Sequence, residues 1–126
     1  MGSNILCIED NSDNMTLLKR ALESRGYTMI PARNGLEGVA IAEKQEVDLV
    51  LLDINLPDID GYEVAKRLRA SSKAGLDTVP IIAITANALK GDAERALQAG
   101  CDVYMSKPIN IRELWARVAT YLPAEV

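Results

Sequence analysis

The sequence predicts an α/β fold: a five-stranded parallel sheet, doubly wound, with helices on both faces. Three observations carry this. Short apolar runs alternate with amphipathic segments along the whole chain, and such alternation marks βα units whose crossovers make the strands parallel. The run "DLVLLD" at 48–53 is continuously apolar up to its final acid, as expected of a central strand covered on both faces. No linker, low-complexity tract or internal repeat interrupts the pattern, so residues 1–126 are expected to form one domain.

The elements follow in order. "NILCIE" (4–9) reads as a buried strand. "NMTLLKRALESRG" (14–26) places Met15, Leu18, Ala21 and Leu22 on one helical face and stops at Gly26. "YTMIPA" (27–32) is a second strand; it ends in Pro31 and Ala32, with nothing reactive, which suits an edge. "NGLEGVAIAEKQE" (34–46) is a second helix, with Asn34 as cap and Glu37 three residues on. After the third strand, "DGYEVAKRLRA" (60–70) repeats that cap pattern with Asp60 and Glu63. "VPIIAIT" (79–85), "GDAERALQAG" (91–100) and "DVYMS" (102–106) give the fourth strand, fourth helix and fifth strand. The last helix, "NIRELWARVATYL" (110–122), starts at Asn110 with Glu113 and stacks Ile111, Leu114, Trp115, Val118 and Leu122. The fourth helix is short and Ala-rich, with Gly91 near its start, so it is expected to pack shallowly and to shift easily.

Composition narrows the function. Phe is absent, so the core must come from Leu, Ile, Val and Ala. A net charge of -4 supplies no basic face to track phosphates, which argues against a nucleic-acid partner. No apolar run approaches the roughly 18 residues of a membrane span, and no signal-peptide pattern opens the chain. A cytoplasmic protein without membrane contact is expected. Cys7 and Cys101 lie far apart, with no CxxC and no His, which fits reduced thiols and not a metal site.

In open sheets of this class, sites form at the carboxyl ends of the strands. Those ends carry Glu9 and Asp10 after strand one, Asp53 on strand three, Thr85 on strand four, and Lys107 with Pro108 after strand five. Taken singly, each has an ordinary explanation. Asp10 could favour a helix N-terminus, Asp53 could open a loop, Thr85 could end a strand as a β-branched residue, and Lys107 could be solvated. Tyr104 could be packing. None of these explains why the polar groups share one rim. Carboxylates held together repel one another, and their pKa values rise unless a cation intervenes. Few carboxylates with waters and an incoming phosphate suit Mg²⁺ better than Ca²⁺. Asp53 beside a metal is then available as a nucleophile. Thr85 and Lys107 are the right types to hold phosphoryl oxygens, and small Ala86 leaves room for the group.

Four motifs, "IEDN" (8–11), "LLDINLPDIDG" (51–61), "IIAITA" (81–86) and "YMSKP" (104–108), stand in order at the strand ends. Together they resemble the response-regulator receiver domain of two-component signalling, over essentially the whole chain. The resemblance implies a flavodoxin-like sheet of strand order 2-1-3-4-5. It implies that Asp53 is the phosphoacceptor, taking a phosphoryl group from the phosphohistidine of a histidine kinase or histidine phosphotransfer protein. Asp10, Asp53 and the backbone carbonyl of Asn55 would ligate Mg²⁺, with Glu9 acting through water. Thr85 would bond a phosphoryl oxygen and move towards it, Lys107 would pair with the group, and Tyr104 would turn inward as the switch aromatic. Asn55 and Asn87 would touch the attacking water, and Lys107–Pro108 would be cis, as X–Pro bonds can be. The output face would run from the fourth helix through the fifth strand to the fifth helix and bind a downstream effector protein. Phosphorylation is expected to order the loop 86–91 and re-pose the fourth helix.

No output domain and no activity on outside substrates are expected. A flavin module would need a phosphate-cradling loop after strand one, where this chain has "EDNSDN". A phosphatase with an aspartyl-phosphate intermediate would need an acid two residues past the nucleophile, where Asn55 stands. A receiver-like interaction domain that is never phosphorylated stays open as the alternative.

Overall fold

Four of the described α-helices begin where a side chain accepts an N–H group that the first turn leaves unpaired. In the computed structural model, which describes residues 3–86 and 91–123, Asn11, Asn34, Asp60 and Asn110 each accept the backbone N–H three residues on, at 2.8–2.9 Å. The elements are β1 (Asn4–Ile8), α1 (Ser12–Glu23), β2 (Thr28–Ala32), α2 (Gly35–Lys44), β3 (Leu49–Asp53), α3 (Gly61–Arg69), a 3₁₀ turn (Leu76–Thr78), β4 (Ile81–Thr85), α4 (Asp92–Ala99), β5 (Val103–Ser106) and α5 (Ile111–Tyr121). Helix α1 starts two residues earlier than its periodicity suggests, because Asn11 caps it. The 3₁₀ turn lies in a stretch with no legible pattern and buries Leu76. Among the described α-helices, α4 alone starts on a glycine, Gly91, in the left-handed region at φ 81°, with no side-chain cap.

The sheet order is β2-β1-β3-β4-β5, and every pairing is parallel. This is the order expected, with β2 at one edge. Ile8 pairs with Leu52, Asp53 with Ile84 and Thr85 with Ser106. That register brings the carboxyl ends of β1, β3, β4 and β5 to one rim.

Two aliphatic layers sandwich the sheet. One joins Leu6, Ile8, Val50 and Leu52 to α2, α3 and α4. The other joins Ile5, Cys7, Leu49 and Leu51 to α1 and α5. Every residue of β3 is buried, which explains its unbroken apolar run: both faces are covered. Helix α4 buries only Ala96 and Ala99, so little apolar area holds it to the sheet. Burial, and for Cys7 the nearby Glu9, pushes the Cys7 thiol well above its ordinary value, and burial pushes Cys101 to about 12. Both are inert free thiols. Among the described residues, no helix is long and apolar enough to cross a membrane.

Candidate functional site

The acids at the rim emerge where apolar strands end. Glu9 follows β1 and is 1% exposed; Asp53 closes β3 and is 2% exposed. Asp10, next to Glu9, faces solvent. One carboxylate oxygen from each of the three lies within 4.8 Å of the others. Lys107, just beyond β5, enters this cluster. Its Nζ donates to Asp53 Oδ2 at 3.0 Å and lies 3.7 Å from Glu9 Oε1. The Lys107 backbone N–H donates to the Thr85 carbonyl at 2.9 Å, and the Lys107–Pro108 peptide is cis.

Burial is the main cause that pushes the Glu9 carboxyl up, to about 7. The Asn11 N–H, donating to Oε2 at 3.1 Å, opposes this. Asp53 adds to the rise by hydrogen bonding and by charge, while Lys107 lowers it. The repulsion expected from clustered acids is therefore present at Glu9, and one ammonium does not cancel it. Oxygen donors this close, with excess negative charge, suit a hard divalent cation.

The segment after Asp53 is fixed at both ends. The Asn55 N–H donates to Asp53 Oδ1 at 3.0 Å, orienting the carboxylate. The Gly61 N–H donates to the Ile54 carbonyl at 2.9 Å. A Cβ on Gly61 would stand 2.7 Å from Ile54 Cα and 2.8 Å from the Asp53 carbonyl oxygen, so only glycine fits there. Between them, Asp58 accepts the Gly35 and Leu36 N–H groups, both at 2.8 Å, and ties the loop to the start of α2. Desolvation alone would push the Asp58 carboxyl up; N–H donors from Leu36, Gly35 and Ile59 together outweigh it and hold it low. Sequence reasoning missed this tether. Its one signal was the first acid in "LPDIDG", Asp58, left over once Asp60 had capped α3.

Thr85 ends β4 fully buried, and its hydroxyl donates to Asp92 Oδ2 on α4 at 3.3 Å. Asp92 was also missed, because nothing local in sequence links it to Thr85. Tyr104 lies on the edge strand β5, 39% exposed and outside the acid cluster. It lines a surface groove with Leu97, Ser106, Glu113 and Arg117. Asn87 and residues 88–90 of the expected switch loop lie outside the described residues. The structure thus brings together Glu9, Asp10, Asp53 and Lys107, with Thr85 one strand away.

Residues 5–119 match the family model of the response regulator receiver domain. The chain belongs to that family. It is 42% identical to the polar-differentiation response regulator DivK of Brucella anthropi over 122 residues, covering 97% of this chain and 98% of that one. It also resembles the receiver domain of a Pseudomonas aeruginosa sensor histidine kinase, crystallised with a magnesium ion coordinated in its active-site cleft. That likeness has a TM-score of 0.88 and 40% identity, over 96% of this chain and 98% of that one. The receiver domain of Ssk1, solved in complex with the histidine phosphotransfer protein Ypd1 of Saccharomyces cerevisiae, superposes with a TM-score of 0.85 at 30% identity. The match spans 95% of this chain and 88% of that one. This receiver domain therefore carries its acid cluster at the rim where four parallel strands end.

Proposed function

We propose that this receiver domain is a phosphoacceptor and that Asp53 carries the phosphoryl group. The observation behind this is the buried Asp53 carboxylate, whose Oδ2 lies 3.0 Å from Lys107 Nζ within a cluster of two further acids. An Asp53 oxygen attacks the phosphorus of a phosphohistidine. The P–N bond breaks, its electron pair stays on the imidazole nitrogen, and that nitrogen takes up a proton. Lys107 holds the negative oxygens of the transferred group, and the Thr85 hydroxyl donates to one of them. Release follows when water attacks phosphorus and the P–O bond to Asp53 breaks. The domain assists its own transfer and its own slow hydrolysis, and acts on no outside substrate.

Asp10, Asp53 and the Asn55 carbonyl, with Glu9 through water, would hold a Mg²⁺. When bound, that ion neutralises the acid cluster and the charge on the phosphoryl oxygens. The donor is a histidine kinase or a histidine phosphotransfer protein, as the Ssk1–Ypd1 complex suggests by likeness. The output is a change on the α4–β5–α5 face, where Tyr104 and Leu97 are exposed for an effector protein. The setting is the cytoplasm, where such kinases present their phosphohistidine.

The test is labelling by a small-molecule phosphodonor, read by intact mass. One phosphoryl group is expected with Mg²⁺ and none with chelator. Asp53→Asn is expected to abolish it. Labelling that survives this substitution refutes the site.

A further inference from the structure

The hydrogen bond from Thr85 to Asp92 joins the acid site to α4. It rests on geometry that the phosphoacceptor reading does not use. Thr85 is fully buried, and a hydroxyl has one proton to donate. That proton is directed at Asp92 Oδ2, 3.3 Å away. Asp92 is the first residue of α4, where a carboxylate meets the positive end of the helix. It is anchored from a second side: the Tyr62 hydroxyl on α3 donates to the Asp92 backbone carbonyl at 3.4 Å. Arg95, one turn on, lies over the Tyr62 ring at 4.2 Å. Among the described residues, the start of α4 therefore has two polar anchors through Asp92, one to β4 and one to α3. With no side-chain cap at Gly91 and only two buried alanines, it has few others.

We propose that Asp92 is a positioning residue that holds the Thr85 hydroxyl in the unphosphorylated state, and that it competes with the phosphoryl group for the one Thr85 proton. The proposal rests on the assignment of Asp53 as phosphoacceptor. A phosphoryl oxygen on Asp53 that accepts the Thr85 proton takes it from Asp92. The tie between β4 and the first turn of α4 is then broken, while the tie to Tyr62 stays. Helix α4 thus loses one of the ties described for its first turn. Linkage makes this reciprocal: whatever weakens the Thr85–Asp92 bond strengthens binding of the phosphoryl group.

The experiment is calorimetric titration of the full chain with beryllofluoride, a phosphoryl mimic, in Mg²⁺. Asp92→Ala is expected to lower the Kd about threefold to tenfold, the worth of one modest hydrogen bond. Asp92→Asn, which keeps the shape and a weaker acceptor, is expected to fall between. The same Asp92→Ala change made on a Thr85→Val background is expected to leave the Kd where Thr85→Val alone puts it. On Thr85→Ser, which keeps the hydroxyl, the Asp92 effect is expected to return. An unchanged or higher Kd for both Asp92 variants overturns the proposal. So does an effect that persists without the Thr85 hydroxyl, since it would come from loosening α4. If the unaltered protein binds no beryllofluoride, the phosphoacceptor reading itself falls, and this proposal with it.

Discussion

Replacing Glu9 by Gln tests the electrostatics of the acid cluster while keeping its shape. The folded-state pKa of Glu9 is raised, from 4.5 to about 7. Between those values the folded chain holds a proton that the unfolded chain has lost. The stabilising contribution is therefore full below about 4.5, declines as pH rises, and is gone above about 7. At about 1.4 kcal/mol for each pH unit of that interval, the ionised carboxylate costs the metal-free fold at most about 3–4 kcal/mol at pH 8. Gln resembles the protonated form at every pH. It forfeits the Lys107 contact at 3.7 Å and must accommodate Asn14 Nδ2, which donates to Oε1 at 3.4 Å. The net gain expected is about 1–2 kcal/mol, or about 4–8 °C in Tm for a domain of this size. Thermal melts in chelator are expected to show that gain at about pH 8 and nearly none at about pH 5. Added Mg²⁺ is expected to raise the unaltered protein more than the variant, because the variant keeps Asp10 and Asp53 but lacks the third carboxylate of the cluster. A variant that melts at or below the unaltered protein at the higher pH, or a gap that ignores pH, refutes the reasoning.

Three further outcomes follow from the geometry. Arg69 donates to the carbonyls of Gly100 (2.9 Å), Val79 (2.7 Å) and Asp77 (3.3 Å) and pairs with Asp102 at 3.0 Å. Arg69→Ala removes all four bonds and leaves the buried Val79 carbonyl without this donor, and is expected to cost about 2–4 kcal/mol in urea unfolding; a loss below about 1 refutes that role. Gly61→Ala drives a methyl into the Ile54 and Asp53 backbone. It is expected to cost about 2 kcal/mol or more and to slow phosphodonor labelling; unchanged labelling would show that the loop yields. Asp58→Ala is expected to speed amide exchange at Gly35 and Leu36 at least about tenfold. Because that carboxyl is held below its ordinary 3.8, the tether is present above that pH and lost on acidification through the lowered value. Equal exchange in the variant refutes it.

Legibility followed the range of the interactions. Strand β3 was readable because burial on both faces leaves no polar position before Asp53. Helices α2, α3 and α5 were readable because cap and partner lie three residues apart. The rim was readable because parallel strands end on one side. What stayed hidden acts across the chain. Asp58 reaches back 23 residues to α2, Arg69 reaches on to Gly100 and Asp102, and Asp92 meets Thr85 only because α4 folds over the end of β4. Asn11 was hidden for another reason. It lies in the acidic stretch "EDNSDN", where the chemistry of the neighbouring carboxylates obscured an ordinary helix cap.

The acid cluster also shows why this rim needs the rest of the fold. A buried carboxylate that prefers to be protonated near neutral pH opposes folding. The sheet can hold it because Glu9 and Asp53 extend strands whose other residues are almost all buried and aliphatic. Lys107 is the sole cation paired with Glu9 and Asp53 among the described residues. On the proposed mechanism it meets a second demand, since the phosphoryl group adds negative charge at the same place. On that mechanism one ammonium would have to offset both, and a divalent cation held by the acid cluster would supply the missing positive charge. Phosphorylation without metal should therefore be disfavoured by repulsion from the clustered acids, which also adds to the burial that raises Glu9, and Glu9→Gln should weaken the metal dependence of the transfer. Phosphodonor labelling rates across a Mg²⁺ titration measure this directly. A dependence as steep in the variant as in the unaltered protein would mean that the metal serves only the phosphoryl oxygens.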